Sequence, residues 1–344
     1  AVAAGIGAGI GSIFRAPLGG AVMAAEILYL HDLEVDVLIP ALIASIVGYT
    51  IFGVFQGWQP IFGAQPDLGF EHPLTLLYYA ALGIVCGIIG LLYARAFYGT
   101  EALFRRFRLP RPLKPALGGL CVGLLGIVVT GAIHTGYGWV QIAMGPGLLT
   151  LPLWLVLLLP FAKILATSLS IGSGGSGGIF GPGMVIGAFV GAAFWRLGHG
   201  VLPQLPASPA PFVIVGMIAL FGGIAHAPLA VLLMVGEMTG NLSLLAPAMV
   251  AVALSTALVG DTTIYRAQLL DRGSSPYHRL RLSFPLLSSL PVRAAMVKLG
   301  RGVAPPESAS SIDGQVAIDV EAGLDGALET LAEAGASQGL VVQQ

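Results

Sequence analysis

Charged side chains are rare in this sequence. Of its 344 residues 10% are Asp, Glu, Lys or Arg, against about 25% in soluble domains. Hydrophobic residues make up 56%, and the mean hydropathy is +0.88. A surface this poor in charge suits a bilayer better than water, so the chain reads as an all-α integral membrane protein. A net charge of -1 with no basic stripe offers nothing to nucleic acid. Cysteine is almost absent as well: Cys86 and Cys121 both lie in apolar segments, which excludes a disulfide framework or a thiolate metal site and leaves packing as their role. The six histidines are scattered, and no paired catalytic carboxylates or metal-ligand spacing occur. No enzyme, catalytic residue, metal or organic cofactor is therefore expected. There is also no initiator Met and no basic n-region, so no secretory signal peptide is read at Ala1. The chain is expected to begin inside a domain and to stop inside another, at a strand-like "GLVVQQ".

The few charges are segregated. Five of the sixteen basic residues fall between Arg105 and Lys114 and seven between Arg266 and Arg301, while the stretch from Gly302 onward holds seven acidic residues and no basic one. Basic clusters beside apolar spans mark the cytoplasmic side, which puts both clusters and the C-terminal region inside the cell; the plasma membrane is the expected bilayer. Apolar segments fall near 1–30, 33–55, 73–98, 114–134, 150–170, 179–198, 211–238 and 243–260. Five of them lie between the two basic clusters, yet two cytoplasmic ends require an even number of crossings. One must be broken or re-entrant, and the segment opened by a glycine run at 179–198 is the natural suspect. After about 290 the hydropathy falls, and a strand-like run followed by an amphipathic one reads as a small α/β unit.

Residues 5–26 and 216–237 align at a constant offset of 211, with identity at 9 of 22 positions. The shared core is Ala-Pro-Leu, followed in both copies by a Met and a Glu: Met23 and Glu26, Met234 and Glu237. Composition supplies repeated small residues but not an in-register Pro, Met and Glu, so the pattern suggests the two halves of a repeat-built transporter. Glu26 and Glu237 are carboxylates in apolar runs, where charge is costly. They are read either as water-path or interface carboxylates, or as groups that hydrogen-bond a neighbouring helix end.

The stretch "SIGSGGSGGIFGPG", residues 170–183, then calls for an explanation. Glycines at 172, 174, 175, 177, 178 and 181 allow successive backbone N–H groups to converge, and Phe180-Gly181-Pro182 opens a helix, which makes an anion site from amides alone. No Lys follows the glycines, so this is no nucleotide-gripping loop. The nearest cations in sequence are Lys163 and Arg196. Glycines 183, 187 and 191 recur every four residues, a close-packing pattern. Anion cradle and packing hinge both remain open from these residues alone.

At residues 173–194, "SGGSGGIFGPGMVIGAFVGAAF" resembles the G-x-F-x-P segment of the CLC chloride channels and chloride/proton antiporters, with Gly178, Phe180 and Pro182 in the motif positions. Residues 216–249 resemble that family's later Ala-Pro-Leu helix pair, and residues 5–28 the earlier one. "TTIYRAQL" at 262–269 is similar to the segment with the pore tyrosine, at Tyr265, and "LPVRAAM" at 290–296 to the start of a cytoplasmic CBS domain. The resemblance implies a CLC-type inverted-repeat bundle of broken and re-entrant helices, assembled as a homodimer with one chloride pore per subunit. It implies an anion site at Gly178, Ile179, Phe180, Gly181 and Tyr265, in which the amides of Ile179 and Phe180 and the Tyr265 hydroxyl hold the ion. It divides the chain into a pore domain at 1–270, a linker at 271–291 and an incomplete CBS domain at 292–344. A complete CBS pair would take adenine nucleotide.

Two departures from the family pattern bear on mechanism. Its glycine-flanked Ser loop and gating Glu loop belong upstream of residue 1 and do not occur in this chain, which would then carry part of an ion site. Proton-coupled members also follow the first Ala-Pro-Leu helix with paired glutamates, whereas this chain reads Glu26-Ile27. Isoleucine carries no proton, so antiport by that route is in doubt. Chloride is the expected ion, with fluoride or nitrate as alternatives. A membrane anchor for a nucleotide-sensing CBS module is the competing function.

Overall fold

The computed structural model describes residues 1–63, 68–70, 72–276, 278, 290–296, 316–335 and 339–342. The chain divides into two units, Ala1–Gln268 and Leu269–Gln344. Most of the expected linker, from 279 to 289, and the stretch 297–315 within the expected CBS region lie outside the described residues.

The regular elements of the first unit are all helices among its described residues. It begins with α1 (Val2–Ile13), α2 (Pro17–Glu26), α3 (Val35–Gln56) and α4 (Thr75–Arg106). After α5 (Leu113–Val128) come two short helices, α6 (Tyr137–Met144) and α7 (Gly147–Thr150), then α8 (Leu153–Gly172) and α9 (Phe180–Gly198). The unit closes with α10 (Ala210–Ile224), α11 (Pro228–Thr239) and α12 (Leu245–Val259). Among the described residues, α3, α4, α8 and α9 are long and apolar enough to cross a bilayer. On α3, Ile39, Val54 and Phe55 are 69, 70 and 80% exposed, an apolar face suited to lipid. The opposite face packs on α1 through small residues: a Cβ at Gly11 would overlap the Ser45 hydroxyl.

Of the two alternatives for segment 179–198, broken or re-entrant, a break is absent from α9 itself, and breaks occur in two other segments. Helix α9 continues unbroken for 19 residues, whereas segment 211–238 divides into α10 and α11 and segment 1–30 divides in the same way into α1 and α2. Proline is the cause. Pro17 and Pro228 occupy first helical positions, and the residues before them, Ala16 and Ala227, are forced out of helical geometry at φ −134° and −137°. One residue earlier the chain reverses through a left-handed conformation, Arg15 at φ 50° and His226 at φ 52°. The two copies share this whole device, down to the N–H of Ala16 donating to Gly11 and that of Ala227 to Gly222.

Every residue of α10 is buried, and α9 lies along it. Glycines 183, 187 and 191 form that contact: a Cβ at 187 would run into the Gly216 carbonyl, and one at 191 into that of Phe212. The four-residue glycine period is thus spent on packing and fixes how closely α9 approaches the core.

In the second unit, strands β1 (Val316–Asp319) and β2 (Gly339–Val342) pair in parallel, with Val316 opposite Gly339. Helix α13 (Leu324–Glu333) makes the crossover that parallel pairing requires. Val292, Ile318 and Ala327 form a small core.

Candidate anion site

The loop from α8 to α9 is shaped by two of its glycines. Gly174 sits at φ +97°, and a Cβ at Gly175 would strike the Ser170 carbonyl. Further along, Ser176, Gly177 and Gly178 are exposed, and a side chain at Gly178 would meet nothing within 4 Å. The loop therefore ends on open space just before Ile179, the N-cap residue of α9. No side chain caps this helix, and no described residue accepts a hydrogen bond from the N–H of Ile179, Phe180 or Gly181. Pro182 contributes no N–H of its own. Free amides at the positive end of a long helix form a cradle for a small anion. Tyr93 on α4 fixes the cradle's position, because its hydroxyl donates to the Ile179 carbonyl at 3.2 Å.

Tyr265 is held beside the same helix start by a dense local network. The N–H of Ile264 donates to Ile224, the last residue of α10, at 2.9 Å. The hydroxyl of Tyr98 donates to the Ile264 carbonyl at 2.7 Å and accepts the N–H of Arg266 at 3.3 Å. Gln268 Nε2 donates to the carbonyls of Ile27 at 3.0 Å and Ala225 at 2.9 Å, the C-cap residues of α2 and α10. Its Oε1 accepts from Thr263, whose hydroxyl oxygen in turn accepts the N–H of Tyr265.

One ring joins the two sides. Phe221 on α10 lies 4.4 Å from Phe180 and 6.5 Å from Tyr265 between ring centroids, and the Phe14 ring lies behind Phe180 at 4.6 Å, tilted by 33°. The structure thus brings Ile179, Phe180, Gly181 and Tyr265 to one place, with Gly178 at its open edge. Phe14, Tyr93, Tyr98, Phe221 and Gln268 were not expected there. The aromatics carry no pattern that separates them from core. For Gln268 the available signal was a lone amide three residues after an isolated Tyr.

The nearby cations in sequence are committed elsewhere. Lys163 is buried and donates to the carbonyls of Ala132, Ile133 and His134, at the end of a single 3₁₀ turn. Arg196 donates to Leu148 and Leu149. The start of α9 therefore offers an anion partial charges rather than a full one.

Glu26 and Glu237 belong to a different structure. Glu26 accepts the N–H groups of Leu229 at 3.2 Å and Ala230 at 2.7 Å, the first turn of α11. Glu237 accepts those of Leu18 at 3.1 Å and Gly19 at 2.8 Å, the first turn of α2. Each carboxylate, at or near the end of its own helix, caps the start of the other. The two helices therefore run antiparallel and exchange places under a local two-fold, the geometry of an inverted repeat.

Residues 1–260 match the family model for the voltage-gated chloride channel. The chain belongs to the CLC family. Among curated CLC relatives, it is 36% identical over 253 residues to a putative chloride channel protein ClcB-like of Ralstonia nicotianae, covering 73% of this chain and 57% of that protein. It is 31% identical over 280 residues to the H(+)/Cl(-) exchange transporter ClcA of Yersinia pestis, covering 78% and 57%. The chain spans little more than half the length of these CLC relatives. Among solved CLC structures, a slow cyanobacterial Cl-/H+ antiporter superposes with a TM-score of 0.66 at 27% identity, covering 77% of this chain and 62% of that one. A CLC-type fluoride/proton antiporter shares the fold, with a TM-score of 0.67 at 20% identity, covering 77% and 64%. Both a chloride channel protein and an H(+)/Cl(-) exchange transporter are thus among the named relatives of this chain.

Proposed function

We propose that the chain carries part of a chloride pathway in which the amides of Ile179 and Phe180 and the hydroxyl of Tyr265 hold the passing ion. The protein then acts as a homodimer with one pore per subunit, in the plasma membrane with its basic ends inside. The observation that carries this reading is the seating of an uncapped helix start and Tyr265 against the same ring, Phe221. Reconstituting the gene product that contains this chain into liposomes tests it: substituting Tyr265 and Phe180 by Ala should change chloride efflux or its concentration dependence. Wild-type behaviour in both variants would sink the site.

Ile27 favours passive conduction over exchange, since it supplies no proton acceptor where the paired carboxylates of exchangers would stand. The competing reading is an exchanger with another proton path, which the exchange-transporter relatives support. Recording proton uptake during chloride efflux separates them, because coupled proton movement excludes the channel. Replacing chloride by fluoride or nitrate in the same assay tests the ion. The β1–α13–β2 unit is read as the start of a CBS module that takes adenine nucleotide when paired. Flux that survives removal of everything after residue 290 would exclude the module as the protein's main purpose.

A further inference from the structure

A cavity of about 250 Å³ lies between α4 and the turn at 261–266, lined by Arg95, Tyr98, Asp261, Thr262, Thr263 and Arg266 among others. Two guanidinium groups face one space, and neither has an ion-pair partner among the described residues. The Arg266 guanidinium carbon lies 3.5 Å from the centroid of the Tyr98 ring, which orients its fork. Arg266 is anchored a second time by its own N–H on the Tyr98 hydroxyl. The one carboxylate in the lining, Asp261, is engaged outside the pair, 3.2 Å from His31 Nε2. Planar forks of this kind match tetrahedral oxyanions, gripping two oxygens at a time, whereas a halide uses one contact from each. The space also suits a larger group: at about 30 Å³ per water it has room for roughly eight.

The depth of the cavity follows from helix length. The 32 residues of α4 run to about 48 Å, and a hydrocarbon core of about 30 Å is crossed in roughly 20 of them. Counted from Thr75, that crossing ends near Arg95. The basic C-terminal turn, Arg105 and Arg106, then projects into the cytoplasm. Arg95 and Arg266 thus meet at the level of the headgroups, where basic pockets beside transmembrane helices receive phosphate.

We propose that this cavity is a phosphate-binding site, filled by the headgroup of an anionic lipid or by free phosphate, and that its occupant braces the turn that carries Tyr265. The site is separate from the chloride cradle and stands whether or not that cradle conducts. In one arm of the test, native mass spectrometry of the purified chain measures retention of cardiolipin against phosphatidylcholine. In the other, thermal unfolding of delipidated protein is followed in inorganic phosphate and in chloride at equal ionic strength. Replacing both Arg95 and Arg266 by Ala should reduce lipid retention at least tenfold, or abolish the phosphate-specific stabilisation, while Arg111→Ala in the basic loop changes neither. A response to cardiolipin alone identifies a headgroup, and a response to inorganic phosphate alone identifies the free anion. If the double Ala variant does not fold, Arg95→Lys with Arg266→Lys keeps the charge without the fork and should weaken binding several-fold. Cardiolipin and inorganic phosphate both behaving as their controls do in the wild type, or unchanged binding in the substituted protein, would overturn the proposal.

Discussion

Removing one of the reciprocal caps separates a structural role for Glu26 and Glu237 from a proton-carrying one. In Glu237→Ala, Leu18 and Gly19 lose their acceptor at the start of α2. A hydrogen bond to a charged group contributes about 1.5–3 kcal/mol, so the pair is worth about 3 kcal/mol at the low end. For a unit of this size each kcal/mol shifts the midpoint by about 2–4 °C, giving a fall of about 6–12 °C in detergent. Glu237→Gln is the sharper variant, because it keeps the volume but turns an amide donor toward an N–H. It loses one bond and strands one donor, a cost of about 2 kcal/mol. Glu26→Gln should behave alike through Leu229 and Ala230. Both carboxylates act on the same helix pair, so the double variant should cost less than the sum of the singles. The assay is thermal unfolding of the purified chain, with chloride and proton flux measured in parallel. Midpoints within about 2 °C of wild type, together with altered proton movement, would refute the capping argument and return both residues to a water path.

Three further outcomes follow from the same geometry. Gln268→Leu removes the donors to Ile27 and Ala225 and should cost about 1–3 kcal/mol in stability while weakening chloride binding, read by unfolding and by titration calorimetry. Gly191→Ala, aimed at the Phe212 carbonyl, should destabilise by about 3 kcal/mol or more, and Gly178→Ala, which meets nothing within 4 Å, by less than about 0.5 kcal/mol; equal midpoints would contradict the packing account. His226 Nε2 lies 3.2 Å from the Thr262 carbonyl and ties the α10–α11 turn to the one before Tyr265. His226→Leu removes that contact and should cost about 1 kcal/mol in thermal unfolding, and an unchanged midpoint would show that the turn does not depend on it.

The helices and their small-residue contacts were readable because each depends on local chemistry. Pro17 and Pro228 announce a helix start, and glycines spaced by four announce a close approach. Hydropathy alone runs segments 1–30 and 211–238 together, and it is Pro17 and Pro228 that divide each into a helix pair. The uncapped amides at the start of α9 were legible in the glycine run, since backbone groups need only the right φ. Their company was not. Phe14, Phe221 and Tyr93 lie 41 residues or more from Phe180 in sequence, and nothing local distinguishes a ring that lines a site from one that fills a core. The reciprocal Glu caps were half legible: the matching offset gave the pair, but only the fold gave the partner each one holds.

The two copies of the repeat diverge where the candidate site lies. At the offset of 211, the left-handed turn, the proline and the capping carboxylate are preserved in both copies, and these build the antiparallel scaffold. Immediately before the turn, Phe14 corresponds to Ala225, and Arg15 to His226. Phe14 supplies the ring that backs Phe180, whereas Ala225 leaves its carbonyl to the Gln268 amide. Arg15 donates to the carbonyls of Gln56 and Gln59 at the end of α3, whereas His226 Nε2 lies 3.2 Å from the carbonyl of Thr262, in the turn that leads to Tyr265. A pore must distinguish its two ends if an ion is to be held by amides on one side and a hydroxyl on the other. Two adjacent positions differ in this symmetric frame, and changing one of them tests their part in it: Ala225→Phe puts a ring where the Gln268 amide docks, and should displace Tyr265 while leaving the Glu26 and Glu237 caps intact. Loss of chloride binding with an unchanged α2–α11 pair in the crystal is the expected result, and retention of full binding would refute the idea that asymmetry at this turn seats the tyrosine.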